Sequence, residues 1–391
     1  MEGDFIKIND WLLPLSWIYG AGVRLRNQMF EMGMLKSRSF DIPVISVGNI
    51  TVGGSGKTPH VEYLINLLRD KVKVAVLSRG YKRKSKGYML ATADTPMSDI
   101  GDEPYQMKKK FADIYVAVDK DRCHGIDQLT TNEETSDTDV ILLDDAYQHR
   151  YVKPGVNILL VDYHRLIMYD KLLPAGRLRE PQKGKARADI VIVSKCPADL
   201  KPMEFRVITK AMNLFPYQKL YFTTLKYGSL RPIYCGEDRK LDTLTGDTSI
   251  LLLTGIASPQ QMIVDLKPYT ERITPLTFPD HHQYTDADID RINAEFEAMK
   301  GNDKMIVTTE KDNARLCGME GLSDEVKKNI YVLPVEVGFM LDQEEDFNEN
   351  IIGYVRKNSR NSILAKAKDD NKSDNSDNSG NRTRTISFRN N

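Results

Sequence analysis

A chain of 391 residues with 41% hydrophobic and 28% charged side chains can bury more than one core. Its 55 basic residues balance 55 acidic ones, which excludes a generally basic nucleic-acid binder and confines any anion site to a local cluster. Cys123, Cys196, Cys235 and Cys317 form no CxxC pair, so neither a zinc signature nor a disulfide framework is expected, and a reducing compartment suits the chain.

The amino end carries Glu2, Asp4 and Asp10 against Lys7, unlike a secretory signal. No apolar run reaches the ~18 residues of a spanning helix. Within residues 1–30, Phe5, Ile8, Trp11, Leu12, Leu15 and Ile18 recur at three- and four-residue steps, which predicts an amphipathic helix. Pro14, Gly20 and Gly22 predict that it is kinked or divided in two. Arg24, Arg26, Lys36 and Arg38 follow it. An apolar stripe with aromatic residues and nearby cations suits a membrane interface; packing on the protein's own core is the alternative.

Residues 43–48 read as a buried strand. They lead into Thr51-Val52-Gly53-Gly54-Ser55-Gly56-Lys57-Thr58 and then a helical pattern through Val61, Leu64 and Leu68. Strand, glycine-rich turn, Gly-Lys-Thr and helix form the context of a phosphate-binding loop. Backbone N–H groups would cradle phosphate oxygens, Lys57 would reach the β- and γ-phosphates, and Thr58 would ligate Mg²⁺. Thr51 stands where the usual pattern has its first glycine. A further strand at Asp139–Leu143 runs into Asp144-Asp145, which places carboxylates beside the metal. Strands at 73–77, 156–162 and 189–194 alternate with helix-length segments. The fold class is therefore α/β, a P-loop NTPase-type doubly wound, mainly parallel sheet over residues 31–217. A guanine-reading Asn-Lys-x-Asp is absent, since Thr309-Glu310-Lys311-Asp312 has the wrong spacing.

A second, smaller α/β domain is expected at residues 218–338. Its extended runs, 219–226 and 330–337, are placed to pair as a hinge, with a strand at 249–254 and a helix at 286–299 between them. A helical extension follows at 339–365. Residues 366–391 are nearly devoid of apolar side chains and are expected to be disordered.

Seven short blocks in order resemble the tetraacyldisaccharide 4'-kinase family. They are Val47-Gly48-Asn49 with the phosphate loop, Ser78-Arg79-Gly80-Tyr81, Gly101-Asp102-Glu103-Pro104, Asp144-Asp145-Ala146-Tyr147-Gln148-His149, Leu173–Glu180, Asp280-His281 and Thr309–Asp312. The resemblance spans roughly residues 8–335. It implies an ATP- and Mg²⁺-dependent kinase that phosphorylates the 4' hydroxyl of tetraacyldisaccharide 1-phosphate at the cytoplasmic face of the bacterial inner membrane. It further implies Asp102 as catalytic base with His281 tuning it, Glu103, Asp144 and Asp145 near the metal, and Arg122 and Arg179 as basic residues of the site. Neither nucleic acid nor an obligate protein partner is expected. Ala146 stands where many members have glycine, and the polar tail lies outside the shared region. Two other readings remain open at this level. One is a P-loop kinase of a soluble metabolite; the other is a binding protein cycled by ATP hydrolysis.

Overall fold

A computed structural model describes residues 8–256, 259–280, 282–316 and 319–359. The expected tail, and His281 itself, lie outside the described residues.

The chain opens with α1 (Leu13–Glu31), followed by β1 (Val44–Asn49), α2 (Lys57–Leu68), β2 (Val74–Ser78) and β3 (Met89–Leu90). Next come α3 (Met97–Ile100), α4 (Asp102–Lys110), β4 (Tyr115–Val118), α5 (Arg122–Thr131), β5 (Val140–Asp144), β6 (Val156–Asp162) and β7 (Ile190–Ser194). α6 (Pro202–Met212) and β8 (Lys219–Tyr227) lead to the smaller unit. That unit holds β9 (Arg231–Pro232), β10 (Ser249–Thr254), α7 (Gln260–Leu266), β11 (Ile273–Thr277) and α8 (Asp286–Ala298). β12 (Lys304–Thr309), α9 (Glu310–Leu316), α10 (Asp324–Asn329) and β13 (Ile330–Leu333) complete it, and β14 (Val335–Phe339) and α11 (Glu344–Asn358) close the described chain.

Nine strands form the larger sheet in the order β14-β8-β7-β6-β1-β5-β2-β4-β3. The seven inner strands are parallel, and β14 and β3 run antiparallel at the edges. Alternate residues of each strand point to opposite faces. Val140 and Leu142 therefore join α2 residues Val61, Leu64 and Ile65, whereas Ile141 and Leu143 join Ile126 and Leu129 of α5. Both faces are covered, which explains why these strands read as continuous apolar runs. Each fully buried Leu, Ile or Val contributes about 1.5–3 kcal/mol of burial free energy. The smaller sheet, β11-β10-β12-β13-β9, is parallel apart from β9.

Three expectations change. The helix at the amino end is uninterrupted from Leu13 through Gly20 and Gly22 to Glu31, preceded by a single 3₁₀ turn at Asp10–Leu12; Pro14 falls in its first α-helical turn, where a missing N–H breaks no helical bond. The extended run at 330–337 is two strands divided at Pro334, and only its second half, β14, pairs with β8. β8 and β14 belong to the larger sheet, so the smaller sheet is built only from strands between Arg231 and Leu333. Within the expected helical extension, Phe347, Ile351 and Val355 of α11 pack into the larger core.

Candidate active site at the phosphate loop

In an open parallel sheet, ligands bind beyond the carboxyl ends of the strands, where the winding direction reverses. Here β1 lies between β5 and β6, and its carboxyl end runs into the glycine-rich loop. Gly53 and Gly56 adopt φ of +109° and +77°, a region that a side chain at Cβ disfavours. Thr51 has no such requirement. It is buried and bridges Leu178, so a side chain is tolerated where the usual pattern has glycine. Asn49 ties the loop base, its Nδ2 donating to Ser55 Oγ at 2.8 Å and Thr51 Oγ1 at 3.3 Å. Val52 N donates to Arg177 O at 2.8 Å.

His60, one turn into α2, holds the loop from behind. Its Nδ1 donates to the Gly56 carbonyl at 2.7 Å, and its Nε2 accepts from Thr223 Oγ1 of β8 at 3.0 Å. The Gly56 carbonyl can only accept, so it places the proton on Nδ1. Burial pushes the imidazole down to about 4, which keeps it neutral. Lys195, just beyond β7, reaches Gly54 O and Asp162 Oδ2. Neither His60 nor Lys195 carried a motif signal.

Strand ends β2 and β5 bring Ser78 against Asp144, whose Oδ2 accepts from Ser78 Oγ at 3.2 Å. Asp144 Oδ1 is buried and receives no hydrogen bond. Burial, followed by repulsion from Glu103 and Asp145, pushes the Asp144 carboxyl up to about 7. Asp145 goes the other way. Burial opposes its charge, but Lys57 at 3.6 Å and Arg179 at 3.3 Å hold the carboxyl below its ordinary value. Arg179 also donates to Gln148 Oε1, and Gln148 Nε2 donates to Asn49 O and Glu180 Oε1. Gln148 therefore orients Arg179, a role that the quoted block contained but composition did not reveal.

Asp102 and Glu103 open α4. Glu103 receives Lys311 Nζ at 3.4 Å, and Asp102 receives the buried Arg315 guanidinium at 2.6 Å. Thr58 stands at the start of α2 beside Lys57. Arg122, expected as a substrate-binding residue, lies deeper than the cavity walls. It is buried, with Nη1 on Lys120 O and Nη2 on Asp144 O, and it lines neither cavity described below. Burial lowers the guanidinium to about 10. Its position behind Asp144 makes it a charge partner of the acidic cluster. One further cluster, Asp121, Cys123 and His149, brings ligand-type atoms within 4.8 Å of one another, but Asp121 Oδ1 is already capping α5.

Two cavities meet at the loop. The first, about 670 Å³, lies between α1 and the loop; its walls include Tyr19, Arg26, Arg79, Arg150 and Arg179. The second, about 230 Å³, is bounded by Ser55–Thr58 and by Leu225, Tyr227, Met262 and Val335. Gly54, Lys57, Glu103, Asp280 and Lys311 line both. One is cationic and beside α1; the other has an apolar end opposite the loop glycines.

Helix α1 is fastened to this site along one side. Ser16 Oγ accepts from Ala175 N at 2.9 Å, Tyr19 OH donates to Arg179 O at 2.6 Å, and Arg26 donates to Gln148 O at 3.2 Å. Its other side presents Leu15, Ile18 and Leu25 to solvent, and Trp11 in the 3₁₀ turn before it and Met32 just after it are exposed as well. The core-packing alternative for this stripe does not hold for those residues. No helix among the described residues is long and apolar enough to cross a membrane.

The model of the family described as tetraacyldisaccharide-1-P 4'-kinase matches residues 8–356. A tetraacyldisaccharide 4'-kinase of Phocaeicola vulgatus is 61% identical over 363 residues, 93% of this chain and 99% of its own length. One from Bacteroides fragilis is 55% identical over 377 residues, covering 95% and 100%. The crystal structure of LpxK from Aquifex aeolicus in complex with ATP superposes with a TM-score of 0.67 at 30% identity, over 89% of this chain and 99% of that one.

Proposed function

The chain belongs to the tetraacyldisaccharide-1-P 4'-kinase family, and on that premise we propose how its residues divide the reaction. The protein is an ATP-dependent kinase of lipid A biosynthesis that phosphorylates the 4' hydroxyl of tetraacyldisaccharide 1-phosphate. The observation that carries the residue assignment is the meeting of a cationic and a partly apolar cavity at Lys57. ATP lies in the smaller one, its triphosphate along Gly53–Thr58 and its base toward Leu225, Tyr227 and Met262. The sugar headgroup enters the larger one, whose arginines suit an acceptor that already bears a phosphate.

Mg²⁺ fits this chemistry. A buried, undonated Asp144 Oδ1 in a crowd of carboxylates calls for a cation. Thr58, Glu103 and Asp144 would hold it, and Asp145 is the fourth candidate ligand, already shared with Lys57 and Arg179. The ion supplies charge neutralisation on the phosphates. The chain's own groups do the rest. Lys57 neutralises charge on the transferring phosphoryl group, and Arg179 faces the same point from the acceptor side. Asp102, tuned by His281, accepts the proton as the 4' oxygen bonds to phosphorus and the bond to the ADP oxygen breaks. The smaller unit, through Lys311 and Asp280, walls the junction and excludes water, which suppresses hydrolysis.

The outward stripe of α1 supports a peripheral seat on the lipid surface at the cytoplasmic face of the inner membrane, with the larger cavity opening beside it. The test is acceptor choice. With Mg-ATP, transfer is expected to tetraacyldisaccharide 1-phosphate in detergent micelles. Transfer confined to a water-soluble sugar would favour the soluble-metabolite kinase instead.

A further inference from the structure

The Thr309–Asp312 block lies outside the phosphate loop and both acidic strand ends, yet its helix docks directly on the proposed base. Arg315, in the last turn of α9, sends Nε at 2.8 Å and Nη2 at 2.6 Å to the same oxygen of Asp102, Oδ2. Its side chain is only 1% exposed. The guanidinium is itself held. Nη1 donates to Asp312 Oδ1 at 3.0 Å and to Gly255 O at 2.8 Å. Asp312 is fully buried and accepts from Gly255 N at 2.9 Å and Thr309 Oγ1 at 2.8 Å. A Cβ at Gly255 would lie 2.9 Å from Asp312 Oδ1, so the end of β10 has no room for a side chain here. The remaining contacts set the register of α9 on α4. Lys311 reaches Glu103, and Lys110 binds both Glu310 at 2.7 Å and Glu62 of the phosphate-loop helix at 2.6 Å.

We propose that Arg315 is the positioning residue for Asp102. Braced by Asp312 and Gly255, it fixes the carboxylate through one oxygen and makes that placement depend on the docking of the smaller unit. The Arg315 side chain is 1% exposed against 17% for that of Asp102, so Arg315 lies behind the carboxylate and acts through it and not on either substrate. Two coplanar donors converging on one oxygen pin the position of that oxygen more tightly than a single lysine ammonium can. The consequence is economy of ATP: the acceptor's proton has its base in place only when α9 closes over α4. This inference rests on Asp102 being the proton acceptor.

The experiment is a double-mutant cycle on the full chain with Arg315→Lys, Asp102→Asn and the pair, after each variant is shown to unfold cooperatively. Arg315→Lys keeps the charge and avoids an empty buried site; Asp312→Asn, which takes the charge from the brace but leaves Arg315 in place, is the second route should Arg315→Lys fail to fold. Displacing a catalytic group by about 1 Å lowers the rate roughly a hundredfold. The expected result for Arg315→Lys is a kcat loss of that order, KM for ATP and for the lipid acceptor within about threefold, and no further loss in the Asp102→Asn background. Losses that multiply across the cycle, or a raised KM at unchanged kcat, would overturn the positioning role while leaving the base assignment intact. An Asp102→Asn enzyme with undiminished kcat would overturn the base assignment, and the positioning role with it.

Discussion

Replacing Trp11, in the turn before α1, and Leu15, on α1, by glutamate isolates the outward apolar stripe of the amino end from everything the site requires. Trp11 is 86% exposed and Leu15 53% exposed, so neither is held by the protein's own core. Fully burying such a side chain is worth about 1.5–3 kcal/mol. Scaled by their exposure, the two together supply about 3 kcal/mol on entering a lipid interface, or roughly a hundredfold in partition coefficient. The electrostatic share is smaller than a count of nearby cations suggests. Arg38 is bound to Asp127 through two nitrogens and Arg26 is turned toward Gln148, which leaves Arg24 and Lys36 exposed beside the stripe. At about 1 kcal/mol each, salt should weaken binding without abolishing it. The assay is co-sedimentation with vesicles containing anionic phospholipid, over a range of ionic strength. The double variant should lose at least that hundredfold and keep its ATP affinity, and its unfolding free energy should shift by no more than about 0.5 kcal/mol per site. Unchanged vesicle binding would refute the lipid-facing assignment. So would cooperative destabilisation of core magnitude, since it would place these residues in a packed interior.

Lys57→Ala should reduce phosphoryl transfer by at least about 10³-fold in a steady-state assay at saturating ATP, because a cation is removed from the transferring group. Thermal unfolding should be little changed. His60 predicts an acid-sensitive fold. It is neutral in the folded chain down to about pH 4, whereas the unfolded chain takes up the proton near 6.5. Its contribution, roughly 3 kcal/mol, is complete above pH 6.5 and is lost as pH falls toward 4. His149, lowered to about 4 by burial and then by Arg122, shares that window. Denaturant titrations between pH 5 and pH 7.5 should therefore show falling stability for the parent and a shallower fall for His60→Asn; parallel curves would reject the assignment.

The phosphate loop and the acidic strand ends were legible because their chemistry is local. A β-branched run, glycines at positive φ and a Lys-Thr pair lie within about fifteen consecutive residues. The parallel strands were equally plain, since burial on both faces leaves continuous apolar runs. Long-range geometry was not legible. Arg315 meets Asp102 across 213 residues, and although the Thr309–Asp312 block lies just before it, nothing local says which residue of that helix reaches Asp102. Pro14 read as a break because a proline inside a helical pattern usually is one; only the position of the helix start, one residue earlier, makes it harmless. Pro334 was overlooked for the opposite reason. It divides one extended run between two sheets, which depends on pairing partners and not on the run itself. Arg122 was named through the resemblance, which says nothing of depth; the fold buries it behind Asp144, with Nη2 on the Asp144 carbonyl.

The central claim is that phosphate passes directly between two cavities that meet at Lys57, with water kept out by the smaller unit. The most direct measurement is the ratio of ADP formed to 4'-phosphorylated lipid formed, with the new phosphate located by phosphorus–proton NMR correlation. The account predicts a ratio near one, with ADP formation falling to a small residual rate when the acceptor is omitted. ADP released at the full rate without acceptor would contradict it, as would a phosphate placed at any position other than the 4' oxygen.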